Sequence, residues 1–245
     1  MPSLLELRGL TIAIPERNLV TGVDIDVRAG RITALMGPSG SGKTLSARAA
    51  MGFIDVDPGL KEGTLRYPQL SGDKDWFEGV RGGGPRAQDK LLRETRQLRG
   101  AFVAYAPQAA SSALNPARTV GRQLELAIGR REQPPTSSAE LAAAVRECLD
   151  DVGLPYSASA ALAGELSGGM AQRTALAIAV APLPKVLIAD EPETGLDPVL
   201  TRQIIELMIR VAQSKKCGML LISHHEETVE RVADDVVRLP PGGQA

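Results

Sequence analysis

The sequence predicts an α/β fold in which a parallel sheet is covered by helices. From Val186 onward, short apolar segments alternate with helical ones, as in the strand–helix units of a parallel sheet. Near the N-terminus, a buried strand at Arg31–Met36 leads into a glycine-rich turn and then into a helix from Leu45. A helical, polar segment at about Thr119–Gly153 separates the two regions. This order indicates an inserted helical subdomain.

The N-terminal elements are predicted from β-like patterns. The strands expected there are Leu4–Leu7, Thr11–Ile14, Gly22–Val27 and Arg31–Met36, with Arg28-Ala29-Gly30 as a hairpin turn before the last. Residues from about Asp55 to Gly100 are poorly patterned, so an edge strand, an exposed loop and a short helix at Lys90–Leu98 are expected.

The later elements follow from helix start signals and apolar runs. They are a helix after Ser137, a helix after Ser167, a strand at Val186–Ala189, a helix at Thr201–Ser214, a strand at Met219–Ile222 and a final helix and strand.

The composition limits the class of protein. At 245 residues the chain has the length for one large domain, or one domain with an inserted subdomain. A net charge of -1 argues against a dedicated nucleic-acid-binding protein. Cys148 and Cys217 are isolated, so a disulfide framework is not expected. Neither a signal peptide nor a membrane span is recognisable, so we expect a cytosolic protein whose membrane association depends on a partner.

One segment fits a phosphate-binding loop. Gly37-Pro38-Ser39-Gly40-Ser41-Gly42-Lys43-Thr44 matches G-x-x-x-x-G-K-[ST] between a strand and a helix. The glycines allow backbone N–H groups to close around phosphates, Lys43 supplies a positive charge, and the Thr44 hydroxyl can ligate Mg²⁺. A glycine-rich surface turn is the simpler interpretation, and the flanking strand and helix disfavour it. The segment predicts binding of a nucleoside triphosphate.

Two further segments carry chemistry in the same context. The apolar strand Val186–Ala189 ends in Asp190 and Glu191, where the first acid suits the Mg²⁺ of the nucleotide and the second suits a general base. Ser167-Gly168-Gly169 opens a helix, which is typical of an anion site and also of an ordinary Ser N-cap.

The order of these motifs resembles that of ATP-binding subunits of ABC transporters, over Leu4 to Leu239. Gly37–Thr44 resembles the Walker A loop, and Gln108 in Tyr105-Ala106-Pro107-Gln108 resembles the glutamine loop. Leu166–Met170 is similar to the signature, with Met170 where glutamine is commoner. The remaining matches are Asp190-Glu191 at the Walker B end, Glu193-Thr194-Gly195-Leu196-Asp197 at the D-loop with Glu193 where threonine is usual, and Ser223-His224 at the switch histidine.

The resemblance implies a single ABC ATPase domain over residues 1–245. It implies the α/β P-loop NTPase fold, with a RecA-like parallel-sheet core, an N-terminal antiparallel β subdomain and an inserted helical subdomain. The ATP-binding core would comprise residues 1–108 and 166–245, and the helical subdomain about residues 109–165. ATP and Mg²⁺ are the implied ligands, and ATP hydrolysis coupled to transmembrane transport is the implied activity.

The resemblance also implies roles for single residues. Gly37–Thr44 would hold the phosphates, while Thr44, Gln108 and Asp190 would organise Mg²⁺. Glu191 would activate the attacking water, and His224 would contact the γ-phosphate and orient Glu191 or the water. Ser167, Gly168 and Gly169 would close over ATP held by a second subunit packed head to tail. Gln108 would in addition couple the nucleotide state to a membrane partner, and His225 is expected to be a solvated neighbour of His224.

Besides Met170 and Glu193, two further features depart from the family pattern. Ile14 stands where an aromatic residue usually stacks on adenine, so weaker or less base-selective nucleotide binding is expected. Only PPGGQA follows Leu239, whereas many relatives continue; either the sequence is cut there or the protein never had that region, and no regulatory C-terminal domain can be argued.

The segment Ala109–Pro116 (AASSALNP) is similar to that of importers of oligopeptides, nickel and metal chelates. The implied partners are integral membrane permeases at the cytoplasmic face of the plasma membrane, a second ATPase subunit in a heterodimer or homodimer, and indirectly a substrate-binding protein. Nucleic acid is not an expected partner. An exporter or phosphonate-type ATPase stays open as an alternative. A soluble ABC protein acting on DNA or ribosomes is a further alternative. It is disfavoured because such proteins usually carry long coiled-coil insertions, zinc modules or tandem ATPase domains, and none is recognisable in this sequence.

Overall fold

The N-terminal β-like segments form a three-stranded antiparallel sheet in the order β2-β1-β4. The strands are β1 (Ser3–Ile14), β2 (Arg17–Arg28) and β4 (Gly59–Arg66). The computed structural model describes residues 1–108, 113–194 and 198–241. The chain forms two compact units, Met1–Arg99 with Gly218–Ala245, and Gly100–Cys217. The antiparallel sheet belongs to the first unit.

A bulge makes β1 one strand where the sequence pattern predicts two. Arg8 and Gly9 interrupt the apolar alternation, and the register of β1 against β2 shifts between Leu7 and Leu10. The Gly9 N–H donates to Asp24 Oδ1 at 2.6 Å, so the extra residue is hydrogen-bonded and the strand continues past it. The two-strand prediction was therefore wrong, because a bulge breaks the period of two without ending the strand.

Three parallel strands complete the sheets of the first unit. They are β3 (Ile32–Met36), β7 (Gly218–Ile222) and β8 (Asp235–Arg238), and β3 pairs in parallel with both of the others. All residues of β3 and β7 are buried, as is usual in a parallel sheet covered on both faces. Helix α1 (Lys43–Ala49) follows β3, and α8 (Glu226–Val232) precedes β8.

The turn at Arg28-Ala29-Gly30 is present, but it does not make a hairpin. The Arg31 N–H donates to the Arg28 carbonyl oxygen at 3.2 Å, as in a tight turn. The next strand, β3, pairs with β7 and β8 and not with β2. The turn therefore joins the antiparallel sheet to the parallel strands, and the hairpin prediction was wrong.

The poorly patterned region contains more helix than the sequence predicts. Besides β4 it holds a short helix α2 (Pro68–Ser71), helix α3 (Gly84–Glu94) and a 3-10 turn at Thr95–Gln97. The segment expected as an exposed glycine-rich loop provides the start of α3. Pro85 lies in the first turn, where its missing N–H costs no hydrogen bond.

The second unit combines a parallel strand pair with a helical bundle. Strand β5 (Val103–Ala106) pairs in parallel with β6 (Val186–Asp190). The helices are α4 (Val120–Ile128), α5 (Ser138–Asp151), α6 (Gly168–Val180) and α7 (Pro198–Ser214), and the first three pack against one another. Short 3-10 turns lie at Tyr156–Ala160 and Ala163–Glu165.

Three of these helices begin at hydroxyl caps. Thr119 caps α4, Ser137 caps α5 and Ser167 caps α6, each side chain accepting a backbone N–H of the first turn. The start signals at Ser137 and Ser167 are therefore confirmed. The predicted helical segment at about residues 109–165 holds α4 and α5, and its behaviour as a separate subdomain stays a prediction. Among the described residues, no helix has the length and apolar character to cross a bilayer.

Candidate functional site

The lysine that follows the glycine-rich loop of the first unit is hydrogen-bonded to the backbone of that loop. Lys43 begins α1 and is only 6% exposed. Its Nζ donates to the Gly37 carbonyl oxygen at 2.8 Å and to the Pro38 carbonyl oxygen at 3.1 Å. The ammonium therefore lies against the loop backbone, where an anion cradled by the loop would meet a positive charge.

The outer part of the loop is open to solvent. Pro38, Ser39 and Gly40 are exposed, whereas Ser41 and Lys43 are buried. The Ser41 N–H donates to the Pro38 carbonyl oxygen at 3.2 Å, which closes a turn over the exposed residues. The predicted residues Gly37–Thr44 thus form a loop with an accessible rim and the first residues of α1, where Lys43 is buried.

Gly42 requires glycine for two reasons. Its φ is 90°, a left-handed conformation that a side chain disfavours. A Cβ built there would lie 2.5 Å from Val20 Cγ2 and 3.0 Å from the Leu19 carbonyl oxygen. The backbone of β2 thus approaches the loop closely just before α1 begins.

His224 lies in a turn that is fixed by the residue before it. Ser223 is fully buried, its N–H donates to the Leu35 carbonyl oxygen at 3.4 Å, and its Oγ accepts the His225 N–H at 3.0 Å. Both histidines are exposed, and their ring centroids are 4.2 Å apart. Ser223 thereby presents the imidazoles at the end of β7, and His225, expected as a solvated neighbour, lies against His224.

In the second unit, Asp190 ends β6 in a buried position. Asp190 is only 3% exposed, and its Oδ2 accepts a hydrogen bond from the Tyr105 hydroxyl at 2.7 Å. Tyr105 comes from the neighbouring strand β5. A buried carboxylate requires such a donor, because the loss of hydration is otherwise uncompensated.

Gln108 and Glu191 are brought together by a hydrogen bond. Gln108 Nε2 donates to Glu191 Oε2 at 3.1 Å and to Thr194 Oγ1 at 3.2 Å. The Thr194 hydroxyl lies 3.4 Å from the same Glu191 oxygen. Glu191 has a φ of 43°, a conformation that is uncommon for a residue with a side chain.

The signature segment is accessible at the start of α6. The Ser167 Oγ accepts the Met170 N–H at 3.3 Å, and both Ser167 and Gly168 are exposed. Further along α6, Gln172 Nε2 donates to the Pro192 carbonyl oxygen at 2.9 Å. This bond links the signature helix to the residue that follows Glu191.

Two predicted segments are described only in part. Of the D-loop match, Glu193 and Thr194 are described, and Gly195, Leu196 and Asp197 lie outside the described residues. Of Ala109–Pro116, the first four residues lie outside them, and the buried Leu114 packs against Ala171 and Ala175 of α6.

Comparison with known proteins settles the family. The sequence profile described as ABC transporter matches residues 20–194, which is most of the chain. The chain belongs to the ABC transporter family. The resemblance of the motifs is thereby confirmed.

Curated ABC relatives are similar over nearly all of the chain. The dipeptide transport ATP-binding protein DppD of Escherichia coli is 35% identical over 226 residues, which are 91% of this chain and 64% of the relative. The nickel import ATP-binding protein NikD of Pseudomonas putida is 33% identical, over 98% of this chain and 86% of the relative. The chain thus spans slightly less than two thirds of the length of the dipeptide transport protein.

Solved structures confirm the ABC fold. The dimeric structure of a bacterial ABC transporter cassette superposes with a TM-score of 0.74 over 96% of this chain and 94% of that one, at 21% identity. The combination of an antiparallel sheet and parallel strands with covering helices is therefore the α/β fold that the sequence predicts.

Three residues that contact predicted site residues or position the turn before one were not singled out from the sequence. Tyr105 contacts Asp190, Thr194 contacts Glu191 and Gln108, and Ser223 fixes the turn before His224. The available sequence signal was that each of these three residues carries a hydroxyl and lies close in the sequence to a predicted site residue. Hydroxyls are common, however, and only the pairing of β5 with β6 shows that Tyr105 reaches the Walker B carboxylate.

Proposed function

We propose that the chain is the ATP-binding and ATP-hydrolysing subunit of an ABC importer that takes up oligopeptides, nickel or metal chelates through partner permeases. The names of the similar proteins support this, since they are ATP-binding proteins of dipeptide transport and nickel import. The alternatives, an ABC ATPase of an exporter or phosphonate-type system and a soluble ABC protein, predict other partners.

The observation that carries the proposal is the loop Gly37–Thr44 with its buried lysine. Lys43 Nζ lies within hydrogen-bond distance of two loop carbonyl oxygens, so its charge is held at the base of an accessible anion cradle. Triphosphate oxygens would replace these carbonyls as partners of the ammonium, while backbone N–H groups of the loop hold the remaining phosphate oxygens.

The residues proposed to organise Mg²⁺ are suited to a hard cation. Thr44 offers a hydroxyl, Asp190 a carboxylate, and Gln108 an amide oxygen, since its amide nitrogen makes the bonds to Glu191 and Thr194. Oxygen ligands are those that Mg²⁺ prefers. When bound, the ion would neutralise charge on the β- and γ-phosphates.

Glu191 is proposed as the base that activates water. Its position directly after the strand that ends in Asp190 suits this role, and Gln108 and Thr194 hold one of its oxygens in place. His224 is proposed to donate a hydrogen bond to the γ-phosphate. Its exposure allows that contact, and Ser223 orients the turn that carries it.

A second ATPase subunit is proposed as the direct partner. Ser167, Gly168 and Gly169 lie at the N-terminus of the 13-residue helix α6, whose dipole favours an anion. Their accessibility supports contact with the γ-phosphate of ATP held by another subunit, homologous or identical. The permeases would then sense closure of this pair, with Gln108 as the coupling residue.

The test is an affinity purification of the tagged chain in mild detergent from its native cells, with partners identified by mass spectrometry. We expect permease subunits, a second ATPase and a binding protein, the last of which would identify the cargo. A separate titration with ATP compares the purified parent protein with a Lys43→Ala variant, which should lose ATP binding. Recovery of ribosomal or DNA-repair proteins with no membrane subunit would overturn the importer assignment.

A further inference from the structure

The strand that leads to the glutamine loop carries one phenol hydroxyl. Tyr105 lies in β5 among Val103, Ala104 and Ala106. The pairing of β5 with β6 places Tyr105 opposite Ile188 and Ala106 opposite Ala189, so Asp190 lies one register step beyond the described pairs. The Tyr105 hydroxyl donates to Asp190 Oδ2 at 2.7 Å. The bond therefore connects two neighbouring strands through the carboxylate that ends one of them.

This bond is strong for physical reasons. A hydroxyl that donates to a carboxylate makes a charge-assisted hydrogen bond, which is shorter and stronger than a bond between neutral groups. Asp190 is buried, so bulk water competes little for the bond. Because one named oxygen accepts the bond, the rotation of the carboxylate about its last torsion is restricted. The hydroxyl thus restrains the orientation in which Asp190 meets its other partners.

We propose that Tyr105 is a positioning residue for Mg²⁺, acting through Asp190. The inference rests on the proposed function, because it assigns a residue to the metal half of the proposed ATP site. Residues that orient a metal-binding carboxylate alter metal affinity by about 10- to 100-fold when they are replaced. Tyr105 touches neither the phosphates nor the attacking water in this proposal, so it is not a catalytic residue.

The proposal separates two parts of ATP affinity. Lys43 and the loop N–H groups bind the phosphates with or without Mg²⁺, whereas Asp190 contributes only when the ion is present. Loss of the hydroxyl should therefore leave ATP affinity in EDTA unchanged. It should weaken ATP affinity in Mg²⁺, because Asp190 then adopts other orientations.

The experiment measures binding of a fluorescent N-methylanthraniloyl-ATP to full-length protein in EDTA and in excess Mg²⁺. All variants carry Glu191→Gln, which prevents turnover. The Kd in EDTA divided by the Kd in Mg²⁺ reports the coupling between nucleotide and ion. We expect Tyr105→Phe to lower this ratio about tenfold, at the lower end of the range for such residues. The Kd in EDTA should stay at the parent value.

Two controls make the result specific. Tyr156→Phe removes a hydroxyl from an exposed ring that lies against Arg146, and it should leave the ratio unchanged. In an Asp190→Asn background, Tyr105→Phe should have no further effect on the ratio, since the carboxylate through which it acts is gone. A urea unfolding curve checks that each variant is folded, and Tyr105→Met replaces the Phe variant if that one is not.

The outcomes distinguish the two claims. A parent protein that binds the analogue in neither condition overturns the proposed function itself. A parent with strong Mg²⁺ coupling and a folded Tyr105→Phe variant with the same coupling overturn only the role of Tyr105. An equal loss of affinity in EDTA and in Mg²⁺ also contradicts that role, because it indicates general damage to the nucleotide site.

Discussion

Single side chains of the candidate site are already engaged in hydrogen bonds within the protein. Lys43 is held by two carbonyl oxygens of its own loop, and Glu191 is held by Gln108 and Thr194. ATP binding would therefore exchange existing hydrogen bonds for new ones. The net gain per exchanged bond is modest, so affinity depends on the geometry of the whole loop and not on one ion pair.

Glu191→Gln tests the proposed base. The amide keeps the shape of the side chain but cannot accept a proton, so we expect ATP turnover to fall at least 100-fold while ATP binding persists. Steady-state phosphate release and nucleotide titration measure the two effects. Glu227→Gln, on the exposed first turn of α8, is the matched control and should retain turnover. Parent-like turnover by the Glu191 variant would remove Glu191 from the base role.

Ile14→Tyr tests the departure from the adenine-stacking pattern. Ile14 is half-buried at the end of β1, opposite Arg17, where an aromatic ring can extend beyond the strand. Restored stacking contributes on the order of 1 kcal/mol, so about fivefold tighter ATP binding is expected. Isothermal titration measures it, and Ile14→Leu is the control for a change of shape alone. Equal affinity in both variants would show that adenine does not bind beside residue 14.

Helices, strands and turns could be predicted where residues that are neighbours in the sequence determine them. The caps Ser137 and Ser167, the buried runs of β3, β6 and β7, and the loop Gly37–Thr44 can be read from neighbouring residues. The predicted break in β1 was wrong because a bulge interrupts the pattern without ending the strand. The predicted hairpin at Arg28–Gly30 was wrong because β3 pairs with strands that are distant in the sequence. For the same reason the contact of Tyr105 with Asp190 was not predictable: it depends on β5 lying beside β6.

Gly42→Ala tests the close approach between β2 and the loop. We expect a loss of about 1–3 kcal/mol in the free energy of unfolding, from the left-handed φ and from the contact with Val20. Urea unfolding measures the loss. Gly40→Ala is the matched control, because Gly40 also has a positive φ of 78° but a Cβ there would meet nothing within 4 Å. An equal loss in the two variants would show that only the backbone conformation matters.

An ion-pair cluster joins two helices of the second unit. Lys215, at the end of α7, contacts Glu147 at 2.7 Å and Asp151 at 2.8 Å, both on α5. Burial opposes the charge of Lys215, but hydrogen bonds to Asp151 and Glu147 outweigh it and raise the pKa of the ammonium. The hydrogen bond from Lys215 lowers the pKa of Glu147 against the effect of burial.

Lys215→Met should therefore destabilise the protein in a pH-dependent way. At neutral pH we expect a loss of about 1 kcal/mol, since Lys215 and Asp151 are partly buried, Glu147 is exposed to solvent, and the methionine retains the packing of the stem. The contribution of Glu147 is present above its ordinary pKa of 4.5 and is lost as pH falls through its lowered value in the folded state. Urea unfolding at pH 7 and in acid measures the difference. Lys216→Met, at an exposed neighbour, should cost little at either pH.

For the whole molecule, the proposed activity requires two subunits to close on ATP. A Ser167→Asp variant of the Glu191→Gln protein tests this. Asp remains a good N-cap for α6, but its charge repels a phosphate presented by the partner. We expect the parent to shift with ATP from 25.9 kDa to twice that mass, and the Asp variant to stay monomeric. If the chain associates only with a second ATPase, the same test uses the coexpressed pair.

Light scattering after size exclusion measures the mass in this test, and nucleotide titration confirms that both proteins bind ATP. Ser137→Asp is the matched control, since it places the same charge at the N-cap of α5 and should still allow association. Association of the Ser167→Asp protein with unchanged ATP dependence would remove the signature segment from the interface.

The order of the strands along the chain has a consequence for synthesis on the ribosome. β3, which precedes the glycine-rich loop, pairs with β7 and β8, and both of these strands follow the second unit in the sequence. The second unit, Gly100–Cys217, is one continuous segment, and it is synthesised before those strands. A ribosome that has just added Cys217 has made neither β7 nor β8, so β3 then lacks both of its parallel partners. The strand before the glycine-rich loop therefore gains its parallel partners only after residues 100–217 have been synthesised.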